Sequence, residues 1–462
     1  MKAGNKSDRL GKEKISSLLI KLSIPAIVGM VIQSLYNIID SMYVGKLSTE
    51  ALSALSLAFP IQMILIAIGV GTGVGTSSLI SRLLGEGKKK RANNTAEHVF
   101  FLAILYGIIV GIIGYFYAEN LIHLFTSDPV LIELGEQYIK IILTGSLAVF
   151  MPATFNYILR GEGNTFLPMV TMLIGAITNI ILDPFLIFGI GFFPQLGVAG
   201  AAYATVFSRL LGGIFITIIL FSDKNELNLN LKQFKFNFQI IKEIYQVGLP
   251  AMANRLLFST VMVLINKILG SFNTSAIAVM GIIFRLQSFF LMCVFGLNQG
   301  YLPLVGYNFG HKKPERMKRT IYLGSVTAFG FGVFGFIIFQ SFPELLLRLF
   351  NNDPVLLEIG IPALKRVSIS YLFMVLNIIG VATFQAIGKG LPSFIITALR
   401  QVVLLLSGMY ILGQIFGLNA TWVAFPLAEG ITFIIVTTWL LTTLKKSIKK
   451  MDKIEYSTIN SR

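Results

Sequence analysis

Twelve long apolar stretches decide what this chain can fold into. A helix needs roughly 20 apolar residues to cross the hydrocarbon core of a bilayer. Such stretches are predicted over 15–44, 51–83, 95–117, 133–158, 164–190, 196–221, 240–269, 275–305, 317–341, 357–386, 391–416 and 420–444. Only 13% of the residues are charged against 55% hydrophobic, too few charges to cover the surface of a soluble fold of 462 residues. The sequence therefore predicts an all-α membrane protein with twelve transmembrane helices.

The basic residues lie mainly on one side of the predicted membrane. The termini and the connections on that side hold 28 of the 38 Lys and Arg residues, whereas the opposite side holds only Lys46, Lys267 and Arg348. Cytoplasmic loops carry an excess of Lys and Arg, so both termini are predicted to be cytoplasmic. The net charge of +16 is then explained by membrane orientation and lipid headgroups, and no nucleic-acid partner is expected. The expected location is the bacterial inner (plasma) membrane.

The two halves of the sequence are repeats of each other. A shift of 225 residues places Pro25 on Pro250, Gly85 on Gly310, and Asp128-Pro-Val-Leu131 on Asp353-Pro-Val-Leu356. Each repeat holds six spans, an even number, so the two six-helix lobes are expected to be related by a pseudo-twofold axis along the membrane normal. The predicted organisation is an N-terminal lobe (1–221), a cytoplasmic linker (222–239), a C-terminal lobe (240–444) and a basic cytoplasmic tail (445–462).

Acidic side chains inside spans are costly and mark candidate functional residues. In the first half, Asp40 and Asp183 lie roughly 7–9 Å below the outer ends of their helices, and Thr205 lies at a similar depth. Asn179 is four residues before Asp183 and shares its helix face. These oxygen-rich groups suit a proton or a small hard cation. The predicted ion-coupling site is Asp40, Asn179, Asp183 and Thr205, with Asp40, Asn179 and Asp183 as ligands if the ion is sodium. The alternative is that these groups only satisfy one another between helices.

Further polar residues within spans are candidates for substrate contact. In the first span, Gln33, Tyr36 and Asn37 recur with Asp40 at helical spacing and are predicted to form one polar stripe. The remaining charged candidates are Arg209, Arg255, Arg285, Arg400 and Glu429. They are expected either to contact substrate or to form ion pairs, including pairs across the lobes. The acid site is not duplicated, because Ile265 and Ser407 stand opposite Asp40 and Asp183 in the repeat.

Four segments of the chain have distinctive sequences: Pro25 to Gly45, ending Ile39-Asp-Ser-Met-Tyr-Val-Gly45; Ser81-Arg-Leu-Leu-Gly-Glu-Gly87; Arg160-Gly-Glu-Gly-Asn164; and Asn179-Ile-Ile-Leu-Asp-Pro-Phe-Leu-Ile-Phe-Gly189. These segments resemble the multidrug and toxic compound extrusion (MATE) family of transporters, in its prokaryotic branch. The resemblance extends over essentially the whole chain. It implies two lobes in a V with alternating access, and export of amphipathic, often cationic drugs in exchange for protons or sodium ions.

By position, Asp40, Asn179 and Asp183 match the ion-binding residues that the resemblance implies, with Thr205 a looser match. No acid stands deep within the seventh or tenth span, so coupling through the second lobe is not expected. The implied partners are small amphipathic substrates and membrane lipid, and we expect a monomer without a cofactor.

Two other functions remain open. A lipid-linked oligosaccharide flippase of the same superfamily would need a cationic cavity, which Arg255, Arg285 and Arg400 favour and the paired acids disfavour. An intramembrane enzyme is the second alternative, since Asp40 and Asp183 resemble an aspartyl dyad. With no paired His and no Ser–Lys or Ser–His arrangement, the two-lobed repeat fits transport better than catalysis.

Overall fold

The computed structural model describes residues 8–191, 193–222 and 225–459. Within these residues, ten helices are long and apolar enough to cross a membrane, and two bent helix pairs each add one further span. None of the described residues belongs to a β-strand. The prediction of an all-α protein with twelve spans in two lobes is confirmed. Among the basic residues used to orient the chain, Lys2, Lys6, Lys224 and Arg462 lie outside the described residues.

The first lobe contains spans 1 to 6. In order they are Ile15–Gly45, Thr49–Gly85, Lys89–His123, the bent pair Pro129–Thr144 and Ser146–Gly161, Phe166–Phe188, and Gly197–Leu220. Asp8–Lys12 forms a short helix before span 1. The bent pair turns by 52° at its break.

The second lobe contains spans 7 to 12. In order they are Phe238–Gly270, Thr274–Gly310, Pro314–Ser341, the bent pair Pro354–Ile369 and Tyr371–Ala386, span 11 built from Gly390–Ala398, Leu399–Leu406 and Ser407–Phe416, and span 12 at Ala424–Ile459. Leu399–Leu406 is π-helical, and short helices occupy Leu231–Gln233, Pro343–Arg348 and Leu418–Thr421. Span 12 continues as a helix through the described part of the predicted tail. The domain boundaries at 221 and 240 stay predictions.

The repeated Asp-Pro-Val-Leu segment begins the same helix in each lobe. Asp128 Oδ1 accepts the backbone N–H of Val130 at 2.9 Å, and Asp353 Oδ1 accepts that of Val355 at 2.7 Å. A proline follows each acid in the first turn, where its missing N–H costs no hydrogen bond. An aspartate at this position also faces the positive end of the helix dipole. The repeat in the sequence thus specifies where spans 4 and 10 begin.

Glycines bring the backbones of the two lobes into contact. A Cβ atom on Gly85 of span 2 would overlap the carbonyl oxygen of Tyr307, and one on Gly310 of span 8 would overlap that of Arg82. Both Gly85 and Gly310, and both Arg82 and Tyr307, are 225 residues apart, so these two contacts are equivalent. A second pair of equivalent contacts brings Gly75 close to the backbone of Gly248, and Gly300 close to the backbone of Ser23. The interface between the lobes therefore shows the predicted pseudo-twofold symmetry.

Polar side chains reinforce this closed face at the end of the bundle that carries the basic connections. An ion pair of 2.7 Å joins Arg91 to Glu243, and Arg160 Nη1 donates to Gln299 Oε1 at 3.0 Å. Arg316 of the second lobe donates to the backbone carbonyl of Glu13, just before span 1, at 2.6 Å. The lobes are thus held together at one end by backbone proximity and by hydrogen bonds.

A cleft separates the lobes toward the opposite end. Gly71 and Gly296 are the outermost of these close approaches, with Met252 and Ile27 as their respective neighbours. Two turns beyond them along the same faces, Ile64 of span 2 and Ser259 of span 7 are exposed. A Cβ atom on Gly281 of span 8 would meet no atom within 4 Å. Spans 1, 2, 7 and 8 therefore line an open cleft.

The connection between the lobes is fastened to the first lobe. Leu227 is only 1% exposed and packs into the first-lobe core. Glu97 accepts the backbone N–H of Asn230 at 3.2 Å, and His98 Nε2 accepts that of Asn237 at 2.8 Å. Asn237 is the residue that caps span 7. The described part of the predicted linker is thus a strap, attached up to the residue at which span 7 begins.

Glu162, in the loop after span 4, holds the same strap. Its carboxylate oxygens accept the backbone N–H groups of Glu226 and Leu227 at 3.3 and 3.2 Å. Burial raises the pKa of Glu162 to about 8, and the two hydrogen bonds oppose that shift only in part.

We expect the stability of the protein to fall as the pH rises through the interval between the ordinary pKa of a glutamate and about 8. Within that interval the folded protein keeps a proton on Glu162 that the unfolded chain has released, so each rise in pH favours unfolding. Glu162→Gln should remove this contribution, because an amide does not ionise. Thermal unfolding in detergent from about pH 5 to about pH 8.5 checks it. Equal slopes in both proteins would contradict the prediction, and Glu119→Gln, an exposed acid, is the control.

Candidate ion-coupling site

Spans 5 and 6 bring an amide, a carboxylate and a hydroxyl together. Asn179 Nδ2 donates to Asp183 Oδ1 at 3.1 Å and lies 3.5 Å from Thr205 Oγ1 of span 6. Asn179 and Asp183 are 0% exposed and Thr205 is 4% exposed. The helices approach closely because Gly200 of span 6 lies against the carbonyl of Leu186 on span 5, where any Cβ would overlap. The expected shared face of Asn179 and Asp183 is therefore present in the structure.

Span 1 adds the second carboxylate. The Asp40 carboxylate is close enough to that of Asp183 for the two groups to interact. Three acceptor atoms in this cluster are buried without a hydrogen-bond partner among the described residues: Asp40 Oδ1, Asp183 Oδ2 and Asn179 Oδ1. Ionised carboxylates carry no hydrogen, so two of them cannot satisfy each other. A proton or a cation between them would satisfy the pair.

Arg209 of span 6 belongs to the same site. The hydroxyl of Tyr36 lies close to Thr205 and Arg209, and the Arg209 guanidinium interacts electrostatically with Asp40. Sequence reasoning had assigned Arg209 only to substrate contact or ion pairing, without linking it to the acids. With Asp40 and Asp183 ionised and Arg209 charged, one negative charge is left over. A single proton or monovalent cation would balance it.

Two further residues were missed in the sequence. Tyr138 of span 4 is 4% exposed, and its hydroxyl accepts a hydrogen bond from Gln62 Nε2 of span 2 at 3.0 Å. Its phenol is close enough to Asp40 for an electrostatic interaction. No sequence pattern identifies Tyr138 or Gln62, because neither has an acid one turn away on its own span.

The predicted polar stripe of span 1 divides between two environments. Tyr36 is buried toward spans 5 and 6, with Asp40 beside it, whereas Asn37 is exposed and Gln33 is half-buried. The four residues lie within about 100° of one another around the helix, with Tyr36 and Asp40 on the side that faces spans 5 and 6 and Asn37 at the exposed edge. A role of this stripe in substrate contact stays a prediction.

The second lobe has a polar cluster with balanced charges. Arg400 Nη1, in the π-helical part of span 11, donates to Glu429 Oε1 of span 12 at 2.8 Å. Asn377 of span 10 donates to Glu429 Oε2 at 2.7 Å. The pair joins helices of one lobe, so the expectation of a pair across the lobes is wrong for Arg400 and Glu429. Glu429 occupies the repeat position of Arg209, and the two lobes thus carry opposite charges there.

Arg255 and Arg285 lie in neither cluster. Both side chains are exposed, and the Arg255 guanidinium lies 6.0 Å from the centre of the Phe295 ring. None of the ion pairs among the described residues includes either arginine.

We expect Arg209→Ala to bind the coupling cation about tenfold more tightly. The substitution removes a positive charge that competes with the cation for Asp40, and at an effective dielectric constant of about 20 such a contact is worth a few kcal/mol before solvent relaxes. The proton or sodium concentration that gives half-maximal efflux should fall accordingly. Arg209→Lys keeps the charge and should stay close to the parent protein. Weaker cation binding by the alanine variant would contradict this role.

Two repeats of six spans around a cleft, with a buried acid pair in one lobe, define a polytopic membrane transporter. The MatE family model matches residues 25–185 and 250–411, which together make up more than half of the chain. The chain therefore belongs to the MATE family. The two matches begin 225 residues apart, the same offset as the sequence repeat.

Named relatives and solved structures agree with this assignment. The multidrug export protein MepA of Staphylococcus haemolyticus is 29% identical over 423 residues, which cover 91% of this chain and 92% of MepA. The probable multidrug resistance protein NorM of Thermotoga maritima is 30% identical over 421 residues, or 90% of each chain. A multidrug resistance MATE family transporter, solved in an outward-facing conformation, has a TM-score of 0.90 at 28% identity and covers 96% of this chain and 99% of its own.

Proposed function

We propose that this multidrug transporter is a cation-coupled antiporter that exports amphipathic compounds, including organic cations, from the cytoplasm by alternating access. The observation that supports it best is the set of buried, unpartnered acceptor oxygens on Asp40, Asp183 and Asn179. Leaving buried polar atoms unsatisfied costs about 1–3 kcal/mol each, so a purely structural cluster would be expected to pair them. The coupling ion is a proton or a sodium ion, held by Asp40, Asn179 and Asp183 with Thr205 beside them.

Span 1 connects the ion to the cleft. One face of span 1 carries Tyr36 and Asp40 toward spans 5 and 6, and another carries the exposed Asn37. A cation bound between Asp40 and Asp183 draws span 1 toward span 5 and so changes the cleft wall. Pro25, inside span 1, lacks the N–H that would complete the helix at this point and allows the helix to bend. Ion binding then weakens substrate binding, and substrate binding weakens ion binding by the same factor.

We place the protein in a bacterial plasma membrane with its closed face toward the cytoplasm and its open cleft toward the outside. Both termini then lie on the cytoplasmic side. The support is the set of basic residues at the closed end, among them Arg82, Arg91 and Arg316. Large apolar side chains such as Ile112 and Phe116, 53% and 67% exposed, would face lipid around a monomer.

Drug efflux from proteoliposomes tests this function, with the proton gradient and the sodium gradient imposed separately. One of the two gradients should drive efflux of an ethidium-like cation. Efflux that responds to neither gradient would refute the antiporter.

A lipid-linked oligosaccharide flippase is the second candidate, because the exposed Arg255 and Arg285 suit a diphosphate. Deleting the gene separates the two functions: a cell-wall precursor defect would support the flippase, and loss of protection against cationic dyes would support the antiporter.

A further inference from the structure

We propose that Arg255 and Arg285 form an anion-binding site on the second-lobe wall of the cleft, which binds those amphipathic substrates that carry a carboxylate or phosphate group. This inference rests on the proposed transport function and names a substrate class for the same cleft.

Helix register places both arginines on the cleft. Arg255 follows Gly248 by seven residues and Arg285 precedes Gly296 by eleven, so each lies within about 20° of a glycine that contacts the first lobe. Ser259, four residues after Arg255, is exposed on the same face of span 7. Arg255 therefore lies about 10 Å beyond Gly248, and Arg285 about 16 Å beyond Gly296, on the faces along which the lobes separate.

Arg255 lies deep in the membrane, where a charged guanidinium must be solvated by water or bound by a ligand. Arg255 is 15 residues from the outer end of span 7 at Gly270, or about 22 Å along the helix. An exposed guanidinium at this depth is costly against lipid, which agrees with its position on a water-filled cleft. The ring of Phe295 covers only part of Arg255, and neither guanidinium has a carboxylate within ion-pair distance among the described residues. Their hydrogen-bond donors remain available to a ligand.

The acids of the first lobe do not cancel this charge within the cleft. Asp183 is fully buried behind span 1, and Asp40 turns toward it and toward Arg209. The equivalent first-lobe wall carries neutral side chains, since Met30 and Pro60 stand at the repeat positions of Arg255 and Arg285. A ligand in the cleft thus meets two positive charges on one wall and neutral groups on the other.

Aromatic side chains supply the apolar part of the same wall. The rings of Phe258 and Phe284 lie 6.3 Å apart, and Phe289 is 54% exposed four residues after Arg285. Guanidinium groups bind planar carboxylates and phosphates through two parallel hydrogen bonds. The ligand class is therefore an aromatic or alkyl body with one anionic group, whether a free carboxylate or the phosphate of a lipid headgroup.

Two dyes that differ only in the anionic group test this site: a rhodamine free acid and its ethyl ester. Fluorescence polarisation on the purified full-length protein gives the Kd of each dye. The parent protein should bind the acid more tightly than the ester. Arg255→Ala and Arg285→Ala should each weaken binding of the acid about tenfold and change binding of the ester less than about twofold. Arg285→Lys should recover part of the affinity, and Arg348→Ala, an exposed arginine on the second lobe, is the control.

Competition by dioctanoyl phosphatidate identifies the source of the anion. Displacement of the acid dye in the parent protein, but not in Arg255→Ala, shows that lipid phosphate uses the site; failure to displace it limits the site to carboxylate compounds. Equal affinity for acid and ester, or equal loss of both in the variants, would overturn the proposal. Gradient-driven efflux of the ester would then still support the antiporter, so the two proposals can fail separately.

Discussion

Asp183→Asn should abolish gradient-driven efflux, by more than about a hundredfold under whichever of the proton and sodium gradients drives the parent protein. Asp183 is fully buried, and its Oδ2 is one of the unpartnered oxygens of the proposed cation site. An amide cannot take up the coupling proton and adds no charge to hold sodium. Removing one member of a buried charge interaction costs about 3–5 kcal/mol, and about 2.8 kcal/mol already corresponds to a hundredfold. Asp40→Asn should give the same loss, since both carboxylates face one cation.

Dye binding, measured without a gradient, separates this effect from misfolding. Both variants should still bind an ethidium-like dye, because Asp183 is fully buried behind span 1 and Asp40 turns from the cleft toward Asp183 and Arg209. Glu133→Gln, an exposed acid of the same lobe, should transport as the parent protein does. Unchanged efflux by Asp40→Asn or Asp183→Asn under either gradient would show that the cluster is structural.

The architecture could be predicted because its signals are local in the sequence. Apolar length locates the spans, and the 225-residue offset relates the lobes. The rise per residue is fixed, so depth along a helix can also be calculated, which is why Asp40, Asp183 and Thr205 were expected at one level. The shared face of Asn179 and Asp183 follows from their spacing of four residues.

Rotation of each helix about its own axis could not be predicted in the same way, because it depends on packing against neighbours. That rotation places Arg209 beside Tyr36, and it buries Tyr36 while leaving Asn37 exposed. It also pairs Arg400 with Glu429 inside one lobe. Tyr138 reaches the acid site from a different span, so no spacing within its own helix marks it.

The two lobes share their backbone contacts but not their charges. Equivalent glycines close the interface, whereas the polar cluster of the first lobe sets two carboxylates against one guanidinium and that of the second lobe pairs Arg400 with Glu429. A symmetrical scaffold can open and close about its axis whatever each lobe contains. Under the proposed coupling, the extra carboxylate would let the first lobe alone respond to a cation.

Gly85→Ala and Gly310→Ala should each keep the lobes from closing on the face where they now touch. A methyl group at either position overlaps a backbone carbonyl of the other lobe, which cannot move aside as a flexible side chain would. Overpacking of this kind costs about 1–3 kcal/mol, enough to shift the ratio of the two conformations by roughly tenfold or more. The double variant should lose transport, because alternating access needs both conformations.

Spin labels at Lys46→Cys and Ser271→Cys, in a Cys293→Ala background, measure this shift. These two exposed positions are equivalent and lie at the open ends of spans 1 and 7, so their separation should shorten when the opposite face is forced apart. Gly330→Ala, where a Cβ meets no atom within 4 Å, is the matched control. Alanine favours a helix over glycine by about 1 kcal/mol, so a general effect on folding would stabilise all three variants. Only a specific clash between the lobes would change the spin-label distance in Gly85→Ala and Gly310→Ala but not in Gly330→Ala. An unchanged distance distribution in the first two variants would refute this account of the closed face.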